Sequence, residues 1–160
     1  TLQKKQADSN AEWQKEWLDL TTEQLRERRF KLLQSRAEGF YGPLEEPQKA
    51  ALRTFIAQSS FEPQRHHAER LRRQQDLVQV LQTIAEDRSN TDRARSLLRG
   101  YLERFNASPD PAYQRYAQTL VQESCEGFSR VHNAMTSAQR AKAVQSVKGY
   151  EQDFLVLAAR

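Results

Sequence analysis

Three stretches of this chain are written in almost the same letters: Leu20-Thr21-Thr22-Glu23-Gln24, Leu44-Glu45-Glu46-Pro47-Gln48 and Met135-Thr136-Ser137-Ala138-Gln139. In each, an apolar residue precedes an acceptor side chain, and a glutamine follows three residues after that acceptor. This is the capping-box arrangement: the acceptor takes an orphan backbone N–H of a helix start, and the glutamine reaches back to the cap's own N–H. The leading Leu or Met is placed to act as a hydrophobic staple. These motifs commit the chain to helix at three points and carry no chemistry of their own. They recur at uneven intervals, so no solenoid-type repeat is read.

The intervening sequence agrees with them. Gln, Arg, Leu, Ala and Glu dominate while Val, Ile and Thr are sparse, a balance that favours helix over strand. Only 38% of residues are hydrophobic and 29% are charged, but the apolar ones recur at helical intervals, as disordered chains do not. Residues 2–17 read as the end of a helix with Trp13 and Trp17 one turn apart. Further helices are expected over 23–41, 46–57, 64–87, 91–106, 112–133 and 137–158. Their stripes include Leu25, Phe30, Leu33, Ala37, Phe40 and Tyr41; Leu71, Val78 and Leu81; Leu97, Leu98, Tyr101, Leu102 and Phe105; Tyr113, Tyr116, Leu120, Val121, Phe128 and Val131; and Val144, Val147, Tyr150, Phe154 and Leu157. Gly42-Pro43 and Ser108-Pro109-Asp110-Pro111 are the clearest terminators. Breaks are expected near 19–22, 42–45, 58–63, 88–91, 107–111 and 134–137. The 160 residues suffice for one domain with a core, without metal or disulfide. The expected fold is all-α, an antiparallel bundle of about six helices spanning residues 1–160 as a single domain.

Charge and cysteine bound the function. The net charge of +4 is a mild excess interleaved with acidic residues, which argues against a nucleic-acid partner. The single Cys125 forms no internal disulfide; beside Val121 and Phe128 it is expected to be a small buried hydrophobe. No stretch approaches the roughly 20 apolar residues of a membrane span, and no signal peptide is legible ahead of the polar opening at Thr1.

Catalytic and metal-binding sets are not legible. His66 and His67 are adjacent and point about 100° apart on a helix, unlike i, i+4 metal ligands. With His132 they are expected to be surface or capping residues. No phosphate-cradling glycine loop and no Ser-His-Asp set is present, so no catalytic residue, cofactor or metal is assigned. An enzyme or small-ligand bundle with a site assembled from several helices is the alternative. Arginine outnumbers lysine by 18 to 7, clustering at 26–29 and 65–73. Arginine combined with aromatics is the composition that protein interfaces favour. Arg26, Arg28, Arg29 and Arg36 with Trp13, Trp17 and Tyr41 are therefore the candidate partner-binding residues. Core packing for the aromatics and solvation for the arginines is the simpler fate of each.

The helix starts of the Leu-Thr-x-x-Gln type resemble the signature of the Spy and CpxP group of periplasmic stress proteins, small helical chaperone-like dimers. Over residues 13–157 the chain also resembles a family of proteobacterial envelope lipoproteins without established activity. That likeness is carried by Phe40-Tyr41-Gly42-Pro43-Leu44 with Gln48, by the Arg70 to Gln75 stretch entering Leu77 to Leu81, and by Met135-Thr136 with Gln139-Arg140, Tyr150 and Asp153. The resemblance implies a signal peptide and a lipid-modified cysteine in the precursor, so this chain looks like the C-terminal portion of a periplasmic protein reaching the membrane only through a lipid anchor. It further implies a non-catalytic interaction or chaperone-like module for a protein partner or unfolded client.

Overall fold

The computed structural model describes every residue except Arg88 and Arg160. Among the described residues there are seven α-helices and no strand: α1 (Leu2–Trp13), α2 (Thr22–Tyr41), α3 (Glu46–Gln58), α4 (Pro63–Glu86), α5 (Thr91–Asn106), α6 (Pro111–Asn133) and α7 (Ser137–Ala158). The all-α class is as expected, with seven helices rather than about six. At the start of α1, Thr1 Oγ1 accepts from Lys4 N–H at 3.3 Å. The helix continues as a π-helical turn over Gln14–Leu18. The breaks fall where the caps and prolines place them; of the one expected at 88–91, Arg88 lies outside the described residues. No described helix is long and apolar enough to cross a membrane.

The helices gather into two compact units. The first comprises Thr1–Asp19 with Ser60–Leu120, the second Leu20–Ser59 with Val121–Arg160.

In the first unit α4 is the organising element. Glu69, only 5% exposed, accepts from Arg72 Nε and Nη2 at 2.9 and 2.8 Å, from Arg73 Nε at 2.8 Å and from Ser108 Oγ at 3.0 Å. Two turns on, Asp76 takes a two-pronged pair from Arg104 at 2.9 and 2.7 Å, and Arg72 also donates to the Arg104 carbonyl at 3.0 Å. These bonds pin α5 antiparallel to α4. Arg70 holds α1 through Asn10 Oδ1 and Ser9 Oγ at 2.9 and 2.7 Å. Burial alone would raise the Glu69 carboxyl, but its hydrogen bonds from Arg72, Arg73 and Ser108 outweigh it and hold it below the usual range. The Arg104 bond does the same for Asp76.

The second unit is built on the second and third capping boxes, which face each other. Gln48, 1% exposed, accepts Glu45 N–H at 2.6 Å, and Gln139 accepts Thr136 N–H at 3.0 Å. Each amide then crosses to the other box. Gln48 Nε2 donates to the Ala134 carbonyl at 2.8 Å and to Gln139 Oε1 at 3.2 Å, while Gln139 Nε2 donates to the Pro43 carbonyl at 2.9 Å. Pro43 and Ala134 each lie two residues before a cap, so the exchange is pseudo-symmetric. The staples Leu44 and Met135 are both buried and join Phe30, Tyr41, Leu52, Ile56 and Val131 in one core. Gly42, at φ +77° and ψ −171°, ends α2 in an extended positive-φ conformation open essentially to glycine alone. The first box also forms, with Thr21 N–H to Gln24 Oε1 at 2.9 Å and Gln24 N–H to Thr21 Oγ1 at 3.3 Å, but it is solvent-exposed.

Two outcomes follow. Gln48→Ala, which empties a buried site and strands the part-buried Ala134 carbonyl and Glu45 N–H, is expected to cost about 2 kcal/mol, and Gln24→Ala in the exposed box under about 1 kcal/mol; urea denaturation compares them. Because Glu69 and Asp76 titrate lower when folded than their unfolded values near 4.3 and 3.9, the unfolded chain binds more protons in between. Their stabilisation is therefore full above that range and is lost as pH falls through the folded values. The urea midpoint should drop between about pH 6 and about pH 3, and Glu69→Gln should be less stable at the higher pH with a shallower acid dependence.

Candidate functional site: an apolar cavity in the second unit

The core of the second unit does not fill it. Beyond Tyr41 and Val131 a cavity of about 400 Å³ opens to solvent, walled by Leu33, Arg36, Ala37, Phe40 and Tyr41 of α2, Leu52 and Phe55 of α3, Ser124, Gly127, Phe128 and Val131 of α6, and Ala143 and Val147 of α7. Its size follows from side-chain choice. Ala37, Gly127 and Ala143 put almost no volume on three of the four helices. Gly127 also admits the Phe55 ring, which occupies the place a Cβ would take. Gly127→Ala is expected to destabilise by about 1–2 kcal/mol by displacing that ring, although alanine is the better helix former; thermal denaturation with near-UV circular dichroism reads both effects.

The walls are apolar with few polar marks. Arg36 is the sole formally charged residue of the lining, and no hydrogen bond or ion pair joins it to another described residue. Tyr41 Oη lies 2.8 Å from His132 Nδ1. Burial pushes the Tyr41 hydroxyl above its ordinary value, against the opposing charge of Arg140, so it stays neutral and keeps its proton to share. The His132 ring stacks on Phe128 with centroids 5.8 Å apart.

The apolar surface continues outward from the cavity rim, to which Phe128 and Val147 belong. Val121 and Phe128 on α6 and Val144, Val147, Tyr150, Phe154, Leu155, Val156 and Leu157 on α7 are all more than half exposed, Phe154 at 69%. All but Leu155 and Val156 are corrections to the stripes expected to form core. A helical stripe fixes which residues share a face, but what covers the face depends on other elements; among the described residues little covers this one. Cys125, on the same side of α6, is exposed rather than buried. Phe40, Leu98, Leu102 and Phe105 are likewise exposed. The histidines also depart from expectation. His66 packs among the rings of Phe61, Tyr113 and Tyr116, His67 is half-buried, and His132 partners Tyr41.

The seven candidate binding residues meet different fates. Arg36 and Tyr41 share the cavity. Arg26 is exposed, Arg28 and Arg29 are half-buried, and Arg29 donates to Ser59 Oγ at 3.0 Å. Trp13 and Trp17 belong to the first unit, half-buried and stacked at 5.2 Å. Trp13 there borders a second hollow with His66, Glu69, Arg70, Arg73, Tyr101 and Tyr113. Its arginines are engaged, Arg70 with Ser9 and Asn10, Arg73 with Glu69. Sequence reasoning did not single out Phe55, Ser124, Gly127 or Ala143. A legible signal of open apolar surface lay further along α7, in Phe154-Leu155-Val156-Leu157, which is apolar all round the helix and exceeds any single stripe.

The chain matches no protein-family model, no curated protein and no solved structure.

Proposed function

We propose that this protein is a non-catalytic interaction module of the bacterial envelope that holds apolar segments of a protein partner or unfolded client on the α6 and α7 surface of its second unit. The observation that carries the reading is the run of large apolar side chains on those two helices, each more than half exposed. Monomeric proteins rarely leave contiguous apolar area of that kind uncovered unless it is used for binding. Burying a large side chain there stabilises a complex by about 1.5–3 kcal/mol, so a handful of contacts supplies micromolar affinity after the cost of association. Arg26, with its charge in solvent, adds the cationic component that interfaces favour.

The envelope setting and a lipid-anchored precursor rest on the resemblance of the helix starts and of the Phe40 to Gln48 stretch. The gene upstream of Thr1 tests it: a leader ending in a lipobox cysteine is expected, and a cytosolic domain would overturn it.

The binding role is tested by light scattering of a thermally aggregating model client. The protein is expected to suppress aggregation at near-stoichiometric ratios, and Val144→Asp with Phe154→Asp should weaken suppression about tenfold or more. Both positions are exposed, so the variant should keep its helical circular dichroism. Unchanged suppression by the double variant, or none by the parent, would contradict the reading.

A further inference from the structure

The cavity and the outer surface differ in what they can hold. A benzene-sized ligand occupies an engineered protein cavity of about 150 Å³, whereas this one encloses about 400 Å³. That exceeds what one inserted side chain fills and falls within the range of sites that hold a whole small ligand. Its lining residues Leu33, Ala37, Leu52, Phe55, Val131 and Ala143 offer no polar side-chain atom, and the Tyr41 hydroxyl is engaged by His132. Such a wall selects flexible hydrocarbon, since any polar group carried inside would lose its hydrogen bonds to water.

The exit is chemically different. Arg36 lines the cavity from the exposed side of α2, and no described residue forms a hydrogen bond or ion pair with it. A guanidinium so placed matches a carboxylate or phosphate through paired N–H donors. Ser124 contributes a hydroxyl to the lining from α6. An apolar interior ending at one unpaired cation is the complement of a single-chain amphiphile with an anionic head.

We propose that the cavity of the second unit binds one acyl chain bearing an anionic headgroup, with the chain among Leu33, Ala37, Leu52, Phe55 and Val131 and the head on Arg36. This goes beyond the protein-binding role of the outer surface and does not depend on it. The headgroup is a carboxylate, as in a free fatty acid, or a phosphate, as in a lysophospholipid acid; the shared element is a single chain with one terminal anion. No covalent step is involved. Entry of the chain displaces water from the cavity and brings the head to the guanidinium.

Isothermal titration of the full chain, below micelle-forming concentrations, tests it with dodecanoate, dodecyl phosphate, dodecanol and dodecyltrimethylammonium. Both anions should bind with one site per chain, and dodecanol and the ammonium about tenfold or more weaker. Arg36→Gln should weaken the anions about tenfold and leave dodecanol unchanged. Ala37→Phe, which fills the cavity, should abolish binding of all four. Should that variant fail to fold, competition with a polarity-sensitive naphthalene sulfonate on the parent protein reads the same site. The relative strength of carboxylate and phosphate identifies the head. Equal binding of the anions and dodecanol, indifference to Arg36→Gln, more than one chain bound per protein, or no binding would each overturn the proposal. So would failure of dodecanoate to be displaced by the dye. Val144→Asp with Phe154→Asp, which disables the outer surface, should leave dodecanoate binding intact, so the two readings fail separately.

Discussion

Two buried glutamines hold the second unit together. Gln48 and Gln139 each close their own helix start and then reach into the loop that leads to the other. A side-chain amide away from water must satisfy its donors and acceptor or forfeit about 1–3 kcal/mol for each lost partner. Here those partners are the cap N–H groups of Glu45 and Thr136 and the carbonyls of Pro43 and Ala134. The loop between α2 and α3 is thereby fixed to the loop between α6 and α7. Leu44 and Met135, buried beside the amides, turn the same junction into the floor of the apolar core. Displacing either glutamine would release both corners together, because neither loop has another means of satisfying those carbonyls within the bonds observed.

The clamp lies at one end of the unit, and α7 loosens with distance from it. Leu44 and Met135 beside the clamp are buried, and so are Phe30 and Ile56 two to three turns along their helices. Ala37, Gly127 and Ala143 stand where large residues could, and there the helices leave open space. On α7, Ser146 still reaches the Phe40 carbonyl at 3.1 Å and Tyr150 still meets the Phe40 ring. From Glu151 onward every described residue is exposed. An end that is fixed and an end that is open is a suitable build for binding, since the site is preorganised by a junction that takes no part in contacting the ligand. The first unit is different in kind: Glu69, Asp76 and their arginines form a satisfied ionic network that specifies helix pairing and leaves little unpaired.

Much of the fold was legible because helix starts and stops are local. The boxes at Thr21, Glu45 and Thr136, the positive-φ Gly42 and the Ser108 to Pro111 breaker each act within a few residues, so sequence alone located them. The meeting of the second and third boxes was not legible, since Gln48 and Gln139 are far apart in sequence and nothing in either motif names its partner. Nor could periodicity tell covered stripes from open ones. Phe30 and Phe154 both lie on helical stripes, yet one is core and the other surface. The site was legible in part: Arg36 and Tyr41 were chosen as arginine and aromatic, and they do line the cavity. Its walls were missed because Gly127 and Ala143 matter through the volume they leave empty, and an alanine or glycine within a helix gives no sequence signal of that role.

Helix α7 is thus locked at its N-terminus by the Gln48–Gln139 clamp and uncovered at its C-terminus. Amide hydrogen exchange along α7 tests this most directly, since protection reports local opening residue by residue. The amides of Arg140 to Val147 should exchange only on unfolding of the unit and those of Glu151 to Ala158 orders of magnitude faster, with a gradient independent of protein concentration. Uniform protection out to Ala158 would mean that the apolar end is covered, and rapid exchange at the clamp would mean that the glutamines do not hold the unit; either result contradicts the account.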